Sequence, residues 1–186
     1  MDTMRECMTR RLTLLAAAFA AAAPLLAGIP DAVDPAEIPN YQMIGPGLAF
    51  GGQPAPKTLK QLGDMGFRTV INLRTEQEGA VEEGDVVRAL GLGYVWVPVT
   101  SGTFSLEDVE AVERVLDDPD AAPVLVHCAS GNRVAAVWAV VQTRDGRTLE
   151  EAEAASRTVG LHSPSMWAAV LRVLSPAPVG DGGVNP

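Results

Sequence analysis

The feature that most constrains this fold is an apolar strand that runs through a loop of small residues into an apolar helix. The strand is Val124–His127, introduced by Pro123, and the loop covers residues 128–132. The helix covers residues 133–144, and its almost continuous run of Val, Ala and Trp predicts burial on most sides. A unit of this kind is typical of α/β proteins, in which ligands bind at the carboxyl ends of parallel strands.

Short strands and helices alternate through the rest of the chain. Hydrophobic spacing and turn residues predict strands at 48–50, 69–73, 94–99 and 124–127, and helices at 57–65, 82–90, 106–116, 133–144, 149–160 and 164–174. The helix at 82–90 is predicted from the spacing of Val86, Val87 and Leu90. Because each strand is followed by a helix, the predicted fold class is α/β, with a parallel central sheet of about four strands flanked by helices.

The two ends of the chain differ in composition from the middle. Arg5, Arg10 and Arg11 precede an uncharged run at 12–26, which predicts a secretory signal peptide at 1–27, with a twin-arginine route possible. The protein is then exported, periplasmic or secreted, and has no stable membrane anchor after cleavage. Residues 175–186 are rich in Pro and Gly and predict a disordered tail, which leaves a domain at 34–174.

Composition narrows the class of partner. A chain of 186 residues with 47% apolar residues suits one globular domain, and two cysteines do not make a disulfide scaffold. The net charge of −9 argues against nucleic acid as a partner, because no broad electropositive surface is available. Any bound anion must therefore be held by a few groups at one site and not by a broad positive surface.

The loop at 128–132 has the composition of an anion-binding cradle. Gly131 permits a sharp turn, while Ala129 and Ser130 keep bulky side chains away from backbone N–H groups that converge at the helix start. Arg133 carries a planar guanidinium that can bind two oxygens of a phosphate or sulfate-like group. Cys128, at the mouth of this cradle, is then a thiolate nucleophile rather than a structural thiol.

Other polar residues near strand ends are weaker candidates. His127 either orients the loop through a hydrogen bond or is a packed core residue. Asn72, Arg74 and Glu78 follow a strand end and line the cleft, unless Arg74 and Glu78 form a surface ion pair with each other. No His, Cys or Asp cluster has metal-ligand spacing, and no glycine-rich nucleotide motif is present, so the sequence predicts neither a metal nor a cofactor.

The loop and several further segments carry a family resemblance. The residues at 127–133, HCASGNR, resemble the signature loop of cysteine-dependent protein tyrosine and dual-specificity phosphatases, especially the bacterial phosphatase-like domain of beta-lactamase hydrolase-like proteins. Similar segments occur in the same order at 50–54, 69–74, 103–105 and 150–161, so the resemblance covers about 47–174. It implies that Cys128 forms a thiophosphate intermediate, that Arg133 binds the phosphoryl group, and that the amides of residues 129–133, including Asn132, stabilise its oxygens.

Three features depart from the usual phosphatase pattern. Four residues instead of five separate Cys128 from Arg133, and Val134 stands where Ser or Thr often helps to release the thiolate. The loop expected to carry an acidic Asp reads Thr-Ser-Gly-Thr at 100–103. Without a general acid, roughly 10²- to 10⁴-fold in rate is lost. Asp108 or Glu107 is a possible substitute, although both suit the first turn of a helix.

These departures leave three interpretations open. The first is an exported hydrolase that acts on a phosphorylated small molecule or a phosphoprotein through Cys128. The second is a rhodanese-like sulfurtransferase or persulfide carrier, because a four-residue loop is usual in that class. The third is a catalytically weak oxyanion-binding module.

Overall fold

A five-stranded sheet forms the centre of the protein in the computed structural model, which describes residues 28–175. The predicted signal peptide and residues 176–186 of the predicted tail lie outside the described residues. In chain order the elements are β1 (Gln42–Gly45), β2 (Leu48–Gly51), α1 (Pro56–Leu59), β3 (Thr69–Asn72), a 3₁₀ turn (Glu76–Glu78), α2 (Ala80–Ala89), β4 (Gly93–Trp96), α3 (Leu106–Leu116), β5 (Val124–His127), α4 (Asn132–Arg144), α5 (Leu149–Thr158) and α6 (Pro164–Leu174).

The strand order is β1-β2-β5-β3-β4, with β5 at the centre. Strands β2, β5, β3 and β4 are parallel, so the predicted α/β class with a parallel sheet flanked by helices is confirmed. The prediction of about four strands missed β1, which pairs antiparallel with β2 at the sheet edge. Its residues are mostly half-buried and lack a clear alternation, and its only sequence signal is the Pro46-Gly47 turn before β2.

The sheet separates two apolar layers because successive residues of a strand face opposite sides. Ile71 and Val126 belong to the larger layer, which is completed by α3, α4 and α6. Val70 and Leu125 belong to the smaller layer on the other face, under α1 and α2. Helix α4 contributes eight buried residues, which agrees with the burial predicted from its apolar run. This buried helix fixes the position of the loop that precedes it.

Several predicted boundaries change for local reasons. The helix predicted at 57–65 is α-helical only over Pro56–Leu59, because the next hydrogen bonds, such as that from the Gln61 N–H to the Thr58 carbonyl, span three residues. Strand β4 ends at Trp96 instead of residue 99, because the N–H groups of Val97 and Val99 donate to the adjacent carbonyls of Asn72 and Leu73, which breaks the regular parallel ladder. Packing also extends N-terminal to the predicted domain start, because Ile29 is buried in the smaller layer.

Candidate active site

Cys128 lies in the loop that joins the central strand β5 to helix α4. Its side chain is buried, with only 1% of the residue exposed, and the Gly131 N–H donates a hydrogen bond of 3.1 Å to Sγ. Gly131 precedes the first turn of α4 with φ of +91°, a conformation that side-chain-bearing residues rarely adopt. The thiol is therefore held at the start of a 13-residue helix, where unpaired N–H groups favour negative charge.

Neighbouring segments hold the backbone of this loop in place. The Asn40 side chain donates to the Ser130 carbonyl at 2.9 Å, and the Gln53 N–H donates to the Ala129 carbonyl at 3.1 Å. Gly52 packs so closely that an added Cβ would lie 2.9 Å from the Ala129 carbonyl oxygen. The side chains of Ala129 and Ser130 are exposed.

Asn132 has a structural contact that its place in the loop did not suggest. Its side-chain oxygen accepts hydrogen bonds from the backbone N–H groups of His162 and Ser163, at 2.7 and 2.8 Å. The Asn132 side chain therefore fixes the connection between α5 and α6 against the loop. Its side-chain Nδ2 atom faces the loop and donates to the Ser130 hydroxyl at 3.4 Å.

Arg133 is held in an ion pair with Glu78. Its Nη1 and Nη2 atoms donate to the two Glu78 carboxylate oxygens at 2.7 and 2.6 Å, and Nη1 also reaches the carbonyls of Leu73 and Val99, each at 3.2 Å. Burial lowers the pKa of Arg133, but the Glu78 hydrogen bonds and the neighbouring Cys128 outweigh it and raise the pKa overall. The guanidinium is therefore a fixed cation beside the loop.

Glu78 stays ionised at neutral pH. The hydrogen bonds from Arg133, followed by those from Thr75, outweigh partial burial and lower its pKa from 4.5 to about 2. The surface ion pair between Arg74 and Glu78 that the sequence left open is not formed, because Glu78 pairs with Arg133 and Arg74 pairs with the buried Glu83. An ionised carboxylate of this kind positions a cation but does not serve as a proton donor.

A second carboxylate, Glu83, is buried on helix α2. One oxygen accepts hydrogen bonds from His127 Nε2 at 2.8 Å and from Asn72 Nδ2 at 2.9 Å. The other accepts from Gln53 Nε2 at 2.6 Å and from Arg74 Nη1 at 3.2 Å. His127 is thus both fully buried and hydrogen-bonded. The sequence left open a packed core residue or a hydrogen-bonded one, and His127 is both. Asn72 and Arg74 meet at this carboxylate.

Glu83 is the residue that the sequence prediction missed. The buried side of α2 consists of Ala80, Glu83, Gly84 and Val87, whereas Val86 and Leu90 are exposed, so the predicted apolar face was wrong in part. Ala80, Gly84 and Val87 follow helical spacing, and a carboxylate inside that stripe was the available signal. A charged residue on a buried helix face requires partners, and here it has four.

The loop expected to carry a general acid contains none. Residues 97–106 include no Asp or Glu. Thr100 and Thr103 close this loop on itself, with 2.9 Å between their hydroxyl oxygens and 3.1 Å from the Thr103 N–H to the Thr100 hydroxyl. The hydroxyl groups are occupied with each other, and neither is acidic enough to replace a carboxylic acid.

Asp108, named above as a possible substitute acid, caps α3. Its carboxylate accepts from the Ser105 N–H at 3.0 Å, while the Ser105 hydroxyl accepts from the Asp108 N–H at 3.4 Å. This reciprocal pair is the capping box predicted from the sequence. Glu107 is also a first-turn carboxylate, and its pKa is lowered by hydrogen bonds from its own backbone and from Ser105.

Asp108→Ala is expected to lower the free energy of unfolding by about 1 kcal/mol, because the cap of α3 is lost. The turnover of p-nitrophenyl phosphate should be unchanged. Urea denaturation and steady-state kinetics measure the two effects. Glu151→Ala is the matched control, since Glu151 makes the same capping contacts in α5. A loss of turnover confined to Asp108→Ala would instead make Asp108 the missing acid.

Two further properties concern the part of the chain that the structure describes. Within residues 28–175 no helix is both long and apolar enough to cross a membrane. Over the same range no three His, Cys, Asp or Glu side chains cluster in a way that would hold a metal ion.

The site and the sheet together define a class of protein. A thiol follows the central parallel strand, lies under a loop that opens a buried helix, and has an arginine at the start of that helix, as in cysteine-dependent, tyrosine-phosphatase-like folds. The chain belongs to the family of phosphatase-like domains of beta-lactamase hydrolase-like proteins, whose family model matches residues 40–145.

Similar sequences and similar solved structures support this family. The beta-lactamase hydrolase-like protein of Xylella fastidiosa is 33% identical over 105 residues, which make up 54% of this chain but only 24% of that relative. A DUF442 protein from Shewanella putrefaciens CN-32 superimposes with a TM-score of 0.59 at 26% identity, covering 75% of this chain and 93% of that one. TpbA of P. aeruginosa shares the fold, with a TM-score of 0.60 at 19% identity over 81% and 92% of the two chains.

Proposed function

We propose that this protein is a phosphatase that hydrolyses a phosphomonoester through a thiophosphate intermediate on Cys128. The observation that carries the proposal is the position of Sγ, which accepts the Gly131 N–H at 3.1 Å where the loop enters α4. Backbone N–H groups at a helix start favour a bound oxyanion, and the fixed guanidinium of Arg133 adds a positive charge beside it.

The reaction needs only groups that meet at this loop and a water molecule. The Cys128 thiolate attacks phosphorus, an S–P bond forms, and the P–O bond breaks with its electron pair on the leaving oxygen. Water then attacks phosphorus and gives up a proton to solvent, the S–P bond breaks, and inorganic phosphate leaves the regenerated thiolate. The loop amides and Arg133 bind the phosphoryl oxygens in both steps.

The substrate class follows from the missing acid. An alkoxide leaving group needs protonation as the P–O bond breaks, but a phenolate leaves without it more readily. Residues 97–106 supply no carboxylic acid, so the favoured substrates are aryl phosphates, in a phosphorylated small molecule or on the tyrosine of a phosphoprotein. A net charge of −9 disfavours nucleic acid as a partner.

A comparison of aryl with alkyl phosphates tests this proposal. The purified full chain is expected to hydrolyse p-nitrophenyl phosphate and to act on a simple alkyl phosphate roughly 10²- to 10⁴-fold more slowly. Intact mass spectrometry of acid-quenched protein should show the gain of one phosphoryl group. If neither ester is hydrolysed between pH 5 and 7 and no phosphoryl adduct forms, the phosphatase proposal is wrong.

A second candidate function, sulfur transfer, is favoured by the absence of Asp and Glu from residues 97–106. Sulfur transfer needs no general acid, because its leaving group, sulfite, departs as a stable anion. In that reaction the thiolate attacks the outer sulfur of thiosulfate, a new S–S bond forms at Sγ, the original S–S bond breaks, and sulfite leaves. An acceptor such as cyanide then takes the sulfur and restores the thiolate.

The covalent adduct formed on Cys128 distinguishes a phosphatase from a sulfurtransferase. Incubation with thiosulfate followed by intact mass spectrometry reports the gain of one sulfur atom if the protein transfers sulfur. Binding of phosphate or tungstate in calorimetry, without adduct or turnover on either substrate, would identify an oxyanion-binding module instead.

We also propose that the protein acts outside the cytoplasm. The support is the sequence of residues 1–27, in which arginines precede an apolar run. N-terminal sequencing of protein from the cell envelope should find a start near residues 24–29. Full-length protein that remains in the cytoplasm would contradict export.

A further inference from the structure

Glu83 has a role beyond satisfying hydrogen bonds in the core. We propose that Glu83 is a positioning residue that holds His127 as a doubly hydrogen-bonded imidazolium behind the Cys128 loop. The inference rests on the proposed function in one respect only, namely that Cys128 is the reactive nucleophile. It names a residue on α2, far from the loop in sequence, as part of what makes the thiol reactive.

The geometry of His127 carries the first step. Its Nε2 atom lies 2.8 Å from a Glu83 carboxylate oxygen, and its Nδ1 atom lies 3.3 Å from the carbonyl oxygen of Cys128. Both partners are hydrogen-bond acceptors. A neutral imidazole has one N–H and can donate to only one of them, whereas an imidazolium donates to both.

The surroundings of Glu83 carry the second step. The carboxylate accepts hydrogen bonds from His127, Asn72, Gln53 and Arg74, so both oxygens are occupied. Burial raises the pKa of Glu83, but the hydrogen bonds and positive charges of these partners outweigh it and lower the pKa overall. A carboxylate anion is therefore available to His127 at neutral pH.

The other ionisable groups do not compete for this contact. Those at this end of the sheet, besides Glu83 and His127, are Arg74, Arg88, Tyr94, Cys128, Arg133 and Glu78, with Arg88 placed 5.1 Å from the centroid of the Tyr94 ring. Burial and the nearby Glu83 charge raise the pKa of Tyr94 to about 12, so it stays neutral, and its hydroxyl donates to the Ala80 carbonyl at 2.6 Å. Arg133 and Glu78 already pair with each other.

The ion pair between His127 and Glu83 is oriented with its positive end toward the Cys128 loop. The cationic ring of His127 contacts the Cys128 backbone, while the Glu83 anion lies beyond it on α2. This order places the positive end nearer the thiol and stabilises the thiolate. A neutral glutamine in place of Glu83 keeps the size of the side chain but removes the anion that holds the second proton on the ring.

The test measures thiol reactivity rather than turnover. In a Cys7→Ser chain, where Cys128 is the sole thiol, the rate of alkylation by iodoacetamide is followed against pH. Glu83→Gln is expected to move the midpoint of this profile upward by about one pH unit, which slows alkylation about tenfold at pH values well below both midpoints. Glu82→Gln, an exposed residue on the same helix, removes the same charge and should leave the midpoint unchanged.

Two further measurements separate positioning through His127 from a structural effect. In a His127→Asn chain, adding Glu83→Gln should produce no further shift of the midpoint. In the unaltered protein, ¹⁵N NMR should find both ring nitrogens of His127 protonated at pH 7, a result that needs no variant to fold. An unchanged or lowered midpoint for Glu83→Gln, or a neutral His127 ring at pH 7, would overturn the proposal. A shifted midpoint in a protein without phosphatase turnover would leave it standing while the proposed function fails.

Discussion

Cys128→Ser is expected to lower the turnover of p-nitrophenyl phosphate by roughly 10⁴- to 10⁶-fold, the range found when the nucleophile of a covalent mechanism is removed. The physical reason is that a serine hydroxyl is not ionised near neutral pH, while the thiol lies where the Gly131 N–H and the start of α4 favour its anion. Steady-state kinetics measure the change, and intact mass should show no phosphoryl adduct on the variant.

Cys7→Ser is the matched control for this prediction. It makes the same chemical change in the predicted signal peptide, outside the described residues, and should leave turnover unchanged. Because serine is close to cysteine in size, Cys128→Ser should also keep the melting temperature near that of the unaltered protein. Turnover that survives in Cys128→Ser would place the reaction elsewhere and remove the main support for a thiophosphate intermediate.

Arg133→Lys is expected to lower kcat/KM for p-nitrophenyl phosphate by roughly 10²- to 10³-fold. This is the effect of removing one hydrogen-bond donor that is oriented toward an oxyanion. The Arg133 guanidinium holds both oxygens of Glu78 and the carbonyls of Leu73 and Val99 with donors in one plane. A lysine ammonium is a point charge without that fork, so it cannot keep these contacts and also bind two phosphoryl oxygens. Steady-state kinetics and phosphate inhibition constants measure the loss.

Arg144→Lys provides the control on the same helix. Arg144 lies at the end of α4, is partly exposed, and should tolerate lysine with unchanged kcat/KM. If Arg133→Lys lowers the melting temperature but leaves kcat/KM near normal, Arg133 would serve to anchor Glu78 rather than to bind substrate.

Features that depend on a few neighbouring residues could be predicted from the sequence. The capping boxes of α3 and α5 are formed as their Ser105/Asp108 and Thr148/Glu151 spacings predicted, because a cap joins residues only three positions apart. Strand β1 and the true end of β4 could not be predicted in the same way. Edge strands have weak burial patterns, and the end of a ladder depends on its neighbouring strand.

The candidate site also contains a part that could be predicted from neighbouring residues and a part that could not. Its loop was predictable because Cys128, Gly131 and Arg133 lie within six consecutive positions, where backbone sterics and the start of α4 fix their arrangement. The two carboxylates were not, since Glu78 lies 55 residues from Arg133 and Glu83 lies 44 residues from His127. Only the parallel register of the strands brings such distant positions to one edge of the sheet. The sequence alone therefore determined that Cys128 and Arg133 lie at the two ends of one loop, and the tertiary structure decided which anions hold the arginine and the histidine in place.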